Sequence, residues 1–217
     1  MIIMRDPKEL IEMAKTQGGM ISAGNIQQFY DMKAGELPNA DREYKNPSYR
    51  YEWILKKIDH SKPLRILDIG CGNGVLAKLL KEKGHQVDVL DISKVVVSNA
   101  ITYSGAAGIV HNICDSIEEE LFGTYDICVA LEVLEHLEQP DKAVQNIMKL
   151  LKKDGMFLGT VPEGTNLYVP EHIQIFDFYQ LVDLFEGYST KICNIPKMDV
   201  RDKKILFAFE VKNDRRE

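Results

Sequence analysis

The stretch "LRILDIGCGNGVLAKLL", residues 64–80, constrains this chain more than any other. A short apolar run ends in an aspartate, glycines follow at every second position, and an amphipathic run begins at once. A strand, a bare loop and a helix in that order open a β-α-β unit, which needs a parallel sheet with helices on its faces. Gly70, Gly72 and Gly74 let the main chain turn sharply and approach a ligand closely, because no Cβ intrudes. In an open parallel sheet such a ligand lies at the carboxyl ends of the strands.

The rest of the chain follows the same rhythm. "RILDI", "QVDVLD", "IVHNIC", "YDICVAL" and "MFLGTV" are the expected strands, alternating with amphipathic stretches. In "NGVLAKLLKEKG" Val75, Leu76, Leu79 and Leu80 share a helical face, with Gly84 as the expected C-cap. "SKVVVSNAITYSG", with Ser93 as N-cap, and "QPDKAVQNIMKLLKKDG" are expected to be helices that end in glycine. A long loop then runs from Pro162 to about Phe176, of a length more often functional than not. The helix "DFYQLVDLFEGY" and two strands, "STKICNI" and "KKILFAFEV", close the chain. The first 60 residues are more polar and carry three expected helices, "PKELIEMAKT", "GNIQQFYDMKA" and "SYRYEWILKKI". We therefore expect an N-terminal helical extension over 1–60 and a ligand-binding domain over 61–217.

The acidic residues restrict the ligand. Asp68 would place a negative charge next to any pyrophosphate at the helix N-terminus, and the third position of a G-x-G-x-x-G fingerprint is occupied by Val75. A cationic, phosphate-free ligand suits a carboxylate there. Asp91, roughly 20 residues beyond the glycines, ends the second strand where an acidic side chain accepts hydrogen bonds from a ribose diol. Asp115 follows the third strand and serves either an adenine amino group or a helix N-cap.

These motifs resemble the class I methyltransferases that use S-adenosylmethionine. "LDIGCGNG" is similar to their first motif, "VLDIS" to the second, "CDSI" to the adenine contact, and "YDICVALEVLEHL" and "LLKKDGMFLGTVP" to strands four and five. The resemblance implies a Rossmann-like α/β fold. Its seven-stranded sheet is mostly parallel with the last strand antiparallel, helices cover both faces, and an N-terminal helical lid completes it. It also implies S-adenosylmethionine as cofactor, with Asp68, Gly70, Cys71 and Gly72 on one side of it. Asp91, Ile92, Asp115, Ser116 and Leu131 complete the implied contacts. Within the family the ubiquinone-biosynthesis type of O-methyltransferase is most similar. Its "NP-x-R" element is matched one residue further along in "NPSYRY", which offers Arg50 to the methionine carboxylate or to solvent. Tyr30 resembles the tyrosine of the family's lid, or packs as a lone aromatic on an amphipathic helix.

An activated methyl group asks little of the protein beyond alignment, dryness and removal of a proton from a hydroxyl acceptor. "EVLEH" is expected to bring Glu132, Glu135 and His136 to one face of a helical turn, and "PEHIQIF" adds Glu171 and His172. His136 or His172 is the expected general base, with Glu135 beside it. Glu132, Glu135, His136 and His172 resemble the ligand set of two metal-dependent branches of the family, the ubiquinone-type enzymes and the small-RNA 3′-terminal 2′-O-methyltransferases. That resemblance implies as an alternative a metal-dependent O-methyltransferase acting on a catechol, sugar or RNA terminal-ribose diol, though "EVLEHL" also occurs in members without a metal. A divalent metal is admitted by the pattern but not expected, and no metal ligand is assigned. His60, His85 and His111 are expected to be ordinary surface or strand residues.

Composition narrows the partners. A formal charge of −6 over 217 residues gives no general attraction for nucleic acid, so a small-molecule acceptor is expected. Cys71, Cys114, Cys128 and Cys193 form no C-x-x-C pair, and no apolar run reaches the ~20 residues of a membrane span. A cytoplasmic protein without membrane attachment is expected. Oligomeric state and the acceptor's identity are not legible. A nicotinamide-dependent oxidoreductase and a non-catalytic cofactor-binding module are the alternatives.

Overall fold

The structure, a computed structural model, describes residues 23–164, 172–196 and 205–214. Seven strands form one sheet in the order β3-β2-β1-β4-β5-β7-β6. β1 (Arg65–Ile69), β2 (Gln86–Asp91), β3 (Ala107–Val110), β4 (Tyr125–Leu131) and β5 (Leu151–Pro162) pair in parallel. β7 (Ile205–Lys212) runs antiparallel to both β5 and β6 (Ser189–Pro196). This is the Rossmann-like arrangement expected, with the last strand reversed.

Side chains alternate across the strands and build a core on each face. Ile66, Val87 and Val89 meet Leu76, Leu80, Val96 and Ala100 of α4 (Val75–Glu82) and α5 (Lys94–Ser104). Tyr51, Trp53 and Ile54 of α3 (Tyr49–Lys57) join the same cluster. Leu67, Ile69 and Leu90 face the other way, onto Val144 and Ile147 of α6 (Pro140–Leu150) and Leu181 of α7 (Phe178–Leu184). Before these lie α1 (Ala23–Lys33) and a short helix absent from the expectation, α2 (Ala40–Lys45), capped by Asn39.

Three boundaries differ from the sequence reading. The third strand ends at Val110, because His111–Cys114 turn: the Asn112 side chain accepts from the Cys114 amide, and its carbonyl from that of Asp115. Helix α6 stops at Leu150 and β5 starts at once, so Gly155 is no C-cap. It lies opposite a register irregularity between Tyr125 and Ile127, where a Cβ would sit 2.9 Å from the Lys152 carbonyl oxygen. Only a three-residue 3-10 turn, Glu119–Leu121, forms after Asp115. Ser93 and Gly105 do cap α5 as expected. The helix expected in "PKELIEMAKT", the tip of the final hairpin and Glu171 lie outside the described residues.

Candidate functional site

The glycine loop leaves β1 at its carboxyl end. Gly70 and Cys71 donate their amides to the Leu90 carbonyl, at 2.8 and 3.3 Å, which ties the loop to β2. All three glycines have positive φ, but for different ends. A Cβ on Gly74 would stand 2.8 Å from the Ala100 Cα, so Gly74 lets α5 pack closely. A Cβ on Gly72 would meet nothing within 4 Å, which leaves its backbone bare towards open space.

Two adjoining cavities open over this loop. The larger, about 240 Å³, is lined by Ile69, Leu90, Asp91, Ile92, Val96 and His111 from the sheet side and by Tyr30 and Leu37 from the N-terminal segment. The smaller, about 180 Å³, is lined by Glu43, Arg50, Asp68, Cys71, Leu131 and Glu132 among others. Asp68, Gly70, Cys71, Gly72, Asp91, Ile92, Leu131, Arg50 and Tyr30 therefore all reach these cavities. Asp115 and Ser116 line neither and are exposed. The cause is Asn146 on α6, whose buried amide donates to the Ile113 and Asp115 carbonyls and fixes the loop with its acidic side chain outside. His111, read as an ordinary strand residue, instead lines the larger cavity, with a buried Nε2 that has no hydrogen-bond partner. No local signal distinguishes it; only the early end of β3 turns it inward.

Charge in the smaller cavity is unbalanced. Asp68 is buried and its Oδ2 has no hydrogen-bond partner. Burial and the neighbouring Asp91 push its carboxyl up to about 7, against the pull of Arg50. Asp91 is raised to about 6 by burial, while the Ser93 and Ile92 amides hold it down. Burial, then Asp68 and Asp91, raise the Cys71 thiol far above its ordinary value, so Cys71 packs as a neutral group. An orphaned carboxylate of this kind asks for a cation with N–H donors.

Beyond β4 the chain does not form the expected helical turn. Glu132 adopts a left-handed backbone (φ 55), its amide donates to the Thr160 carbonyl at 2.8 Å, and its carboxylate turns to Arg50. A 3-10 turn follows at Leu134–His136. Glu132, paired with Arg50, thus stands outside the close group that Glu135 and His136 form, although it lines the larger cavity with His136. The second histidine arrives by backbone contacts: the Ile173 and Gln174 amides donate to the Glu135 carbonyl at 2.9 and 3.0 Å. His172 then stacks edge-on to His136 with ring centroids 4.9 Å apart, and Tyr30 meets His136 at 6.3 Å. One ligand-type atom from each of Glu135, His136 and His172 lies within 4.8 Å of the others. Glu135 is buried, and His136 borders the larger cavity.

Comparison with known proteins decides the family. Residues 41–188 match the model described as a methyltransferase domain. The chain belongs to the class I S-adenosylmethionine-dependent methyltransferase family. A Rickettsia felis protein named ubiquinone biosynthesis O-methyltransferase is 35% identical over 128 residues, 55% of this chain and 52% of that one. The Vibrio campbellii protein of the same name is 30% identical over 167 residues, 72% and 69% of the two chains. The chain spans about half the length of the rickettsial relatives. The N-methyltransferase NodS of Bradyrhizobium japonicum, in complex with S-adenosyl-L-homocysteine, shares the fold at TM-score 0.63 and 19% identity, covering 80% of this chain and 96% of that one. A Burkholderia thailandensis N1-methyltransferase does so at TM-score 0.67 and 15% identity, over 97% and 92%. Methyltransferase membership displaces the oxidoreductase alternative. The family's cofactor fits the two cavities, since an apolar chamber with a carboxylate at the β2 tip suits adenosine and an orphaned Asp68 suits an ammonium group. Among the described residues no helix is long and apolar enough to cross a membrane, and all four cysteines are free.

Proposed function

We propose that this methyltransferase transfers the methyl group of S-adenosylmethionine to a hydroxyl oxygen of a small-molecule acceptor held at Glu135, His136 and His172. One observation carries the proposal: a buried carboxylate and two histidines converge beside the cavity that suits the nucleoside. When bound, the cofactor supplies an electrophilic methyl group and leaves as a neutral thioether. Asp91 accepts hydrogen bonds from the ribose hydroxyls, Asp68 from the amino group, and Arg50 donates to the carboxylate. The glycine loop and Cys71 give the backbone wall, Ile92 and Leu131 flank it, and Tyr30 covers it from the N-terminal helices, which act as a lid. His136 would take the proton of the acceptor hydroxyl. Glu135, whose Oε1 lies 4.0 Å from His136 Nε2, stabilises the imidazolium that results. His172 orients the acceptor. The name O-methyltransferase borne by the relatives supports oxygen as the acceptor atom.

A methyl-transfer assay over catechols, vicinal diols and primary amines tests this. Turnover of hydroxyl acceptors that His136→Ala abolishes is expected; methylation of amines alone overturns the oxygen acceptor.

The same cluster favours a second reading, in which Glu135, His136 and His172 hold a divalent ion that acidifies the acceptor hydroxyl. Mixed carboxylate and imidazole donors suit Mn, Fe, Co or Zn. Donors on one ion at bonds of ~2.1 Å stand at most ~4.2 Å apart, so the trio needs only a small contraction. Manganese titrated calorimetrically into chelator-stripped protein saturated with S-adenosylhomocysteine decides it. Stoichiometric binding lost in His172→Ala supports the ion, and no binding leaves His136 as the base.

A further inference from the structure

Leu37, Gly70, Gly72 and Glu132 line both cavities and therefore mark their junction. Glu132 alone of the four carries a charge. A ligand with its nucleoside in one cavity and its amino-acid end in the other must place the linking atom at this junction. In S-adenosylmethionine the linking atom is the cationic sulfonium sulfur, and in the product it is a neutral thioether. We infer that Glu132 is a specificity-determining residue that reads the charge of the linking atom and favours the sulfonium over the thioether. The inference rests on the cofactor assignment above.

The local geometry supports a role beyond packing. A positive φ is disfavoured for any residue with a Cβ, yet Glu132 holds one at the tip of β4, clamped by the Thr160 carbonyl. Its carboxylate pairs with Arg50, and the residue lines both cavities. Arg50 is its counter-ion, but Arg50 also faces Glu43 at 3.9 Å, and its buried Nε has no hydrogen-bond partner. Among the described residues that line the smaller cavity, Glu43, Asp68 and Glu132 stand against one guanidinium. An amino-acid end adds one charge of each sign and leaves the excess unchanged. Only the sulfonium reduces it. At the spacing of a shared cavity wall and an effective dielectric near 20, one such charge changes affinity by about five- to twenty-fold after allowance for water.

The test is calorimetric binding of S-adenosylmethionine, S-adenosylhomocysteine and an analogue with an amine in place of the sulfonium, at low salt and pH 8. Glu132→Gln is expected to narrow the preference for the two cationic ligands over the thioether by about five- to twenty-fold, and Glu132→Asp to retain it. Equal losses for all three ligands would assign Glu132 to holding Arg50 and overturn the inference, as would unchanged affinities. Should Glu132→Gln not fold, the wild-type preference must itself shrink as salt rises, and a salt-independent preference overturns it. Failure of the wild type to bind any of the three would instead refute the cofactor assignment.

Discussion

Two histidine pairs sit at opposite ends of the sheet with almost the same ring spacing, 5.0 Å for His60 and His85 and 4.9 Å for His136 and His172. At the base, every ring nitrogen is committed. The Leu64 amide donates to His85 Nδ1, which leaves the proton on Nε2 to bond His60 Nδ1 at 2.7 Å. The remaining His60 N–H donates to the Leu55 carbonyl at 2.8 Å. Neither ring can gain a proton without losing a bond, so this pair joins the end of α3 to the amino ends of β1 and β2. At the top, the pair borders cavities and stands beside the buried Glu135 carboxylate. Proximity of two imidazoles is therefore no mark of chemistry; access to a cavity and a neighbouring carboxylate are what distinguish the top pair.

The largest expected effect separates the two pairs by activity. His136→Ala should lower turnover by about 10²- to 10⁴-fold while leaving stability within about 0.5 kcal/mol, and His60→Ala should leave turnover within about twofold. A steady-state assay with urea unfolding of both variants checks this, and comparable losses of activity in both would erase the distinction. Next in size is stability: His85→Ala orphans the Leu64 amide and one His60 nitrogen and should cost about 1–3 kcal/mol.

The same residue gives a pH dependence of known sign. Burial, then the His60 charge, lowers the folded-state value of His85 below its ordinary 6.5. The unfolded chain thus binds the proton first, so the contribution is complete above about pH 6.5 and is lost as pH falls below it. Unfolding curves at pH 7.5 and 5.5 should diverge less in His85→Ala than in the wild type.

Smallest is the effect of Asp68. Its carboxyl, raised to about 7, holds a proton that an ammonium-bearing ligand must displace. Affinity for S-adenosylhomocysteine should rise with pH, by at most about tenfold per unit below 7, and level off above it. Without ligand the sign for stability is opposite, because the folded carboxyl keeps a proton that the unfolded one releases near 3.8; stability falls as pH rises towards 7. Calorimetry in buffers of different ionisation enthalpy counts the released proton, and an unchanged slope in Asp68→Asn would remove Asp68 from the ammonium site.

Much of the lining of the two cavities was legible because its residues are neighbours in sequence. Asp68, Gly70, Cys71 and Gly72 share one strand-to-helix turn, and Asp91 and Ile92 end the next strand. The reading failed where a distant side chain overrode the local pattern. Asn146 of α6 pins the loop after β3, which exposes Asp115 and Ser116 and turns His111 inward. Leu151 opens a strand where the lysines that follow looked like the end of a helix, because pairing with Tyr125 outweighs helix propensity there.

The sequence by itself determined the alternation of strands and helices, the glycine turn and the carboxylates at the tips of β1 and β2, since each depends on periodicity or on residues a few positions apart. The tertiary structure alone decided which members of "EVLEH" lie together with His172. Arg50 draws Glu132 towards the smaller cavity, while the Glu135 carbonyl captures the Ile173 and Gln174 amides and delivers His172. Those contacts join segments far apart in the chain. Their free energy depends on burial and on competing charges that exist only once the sheet has assembled.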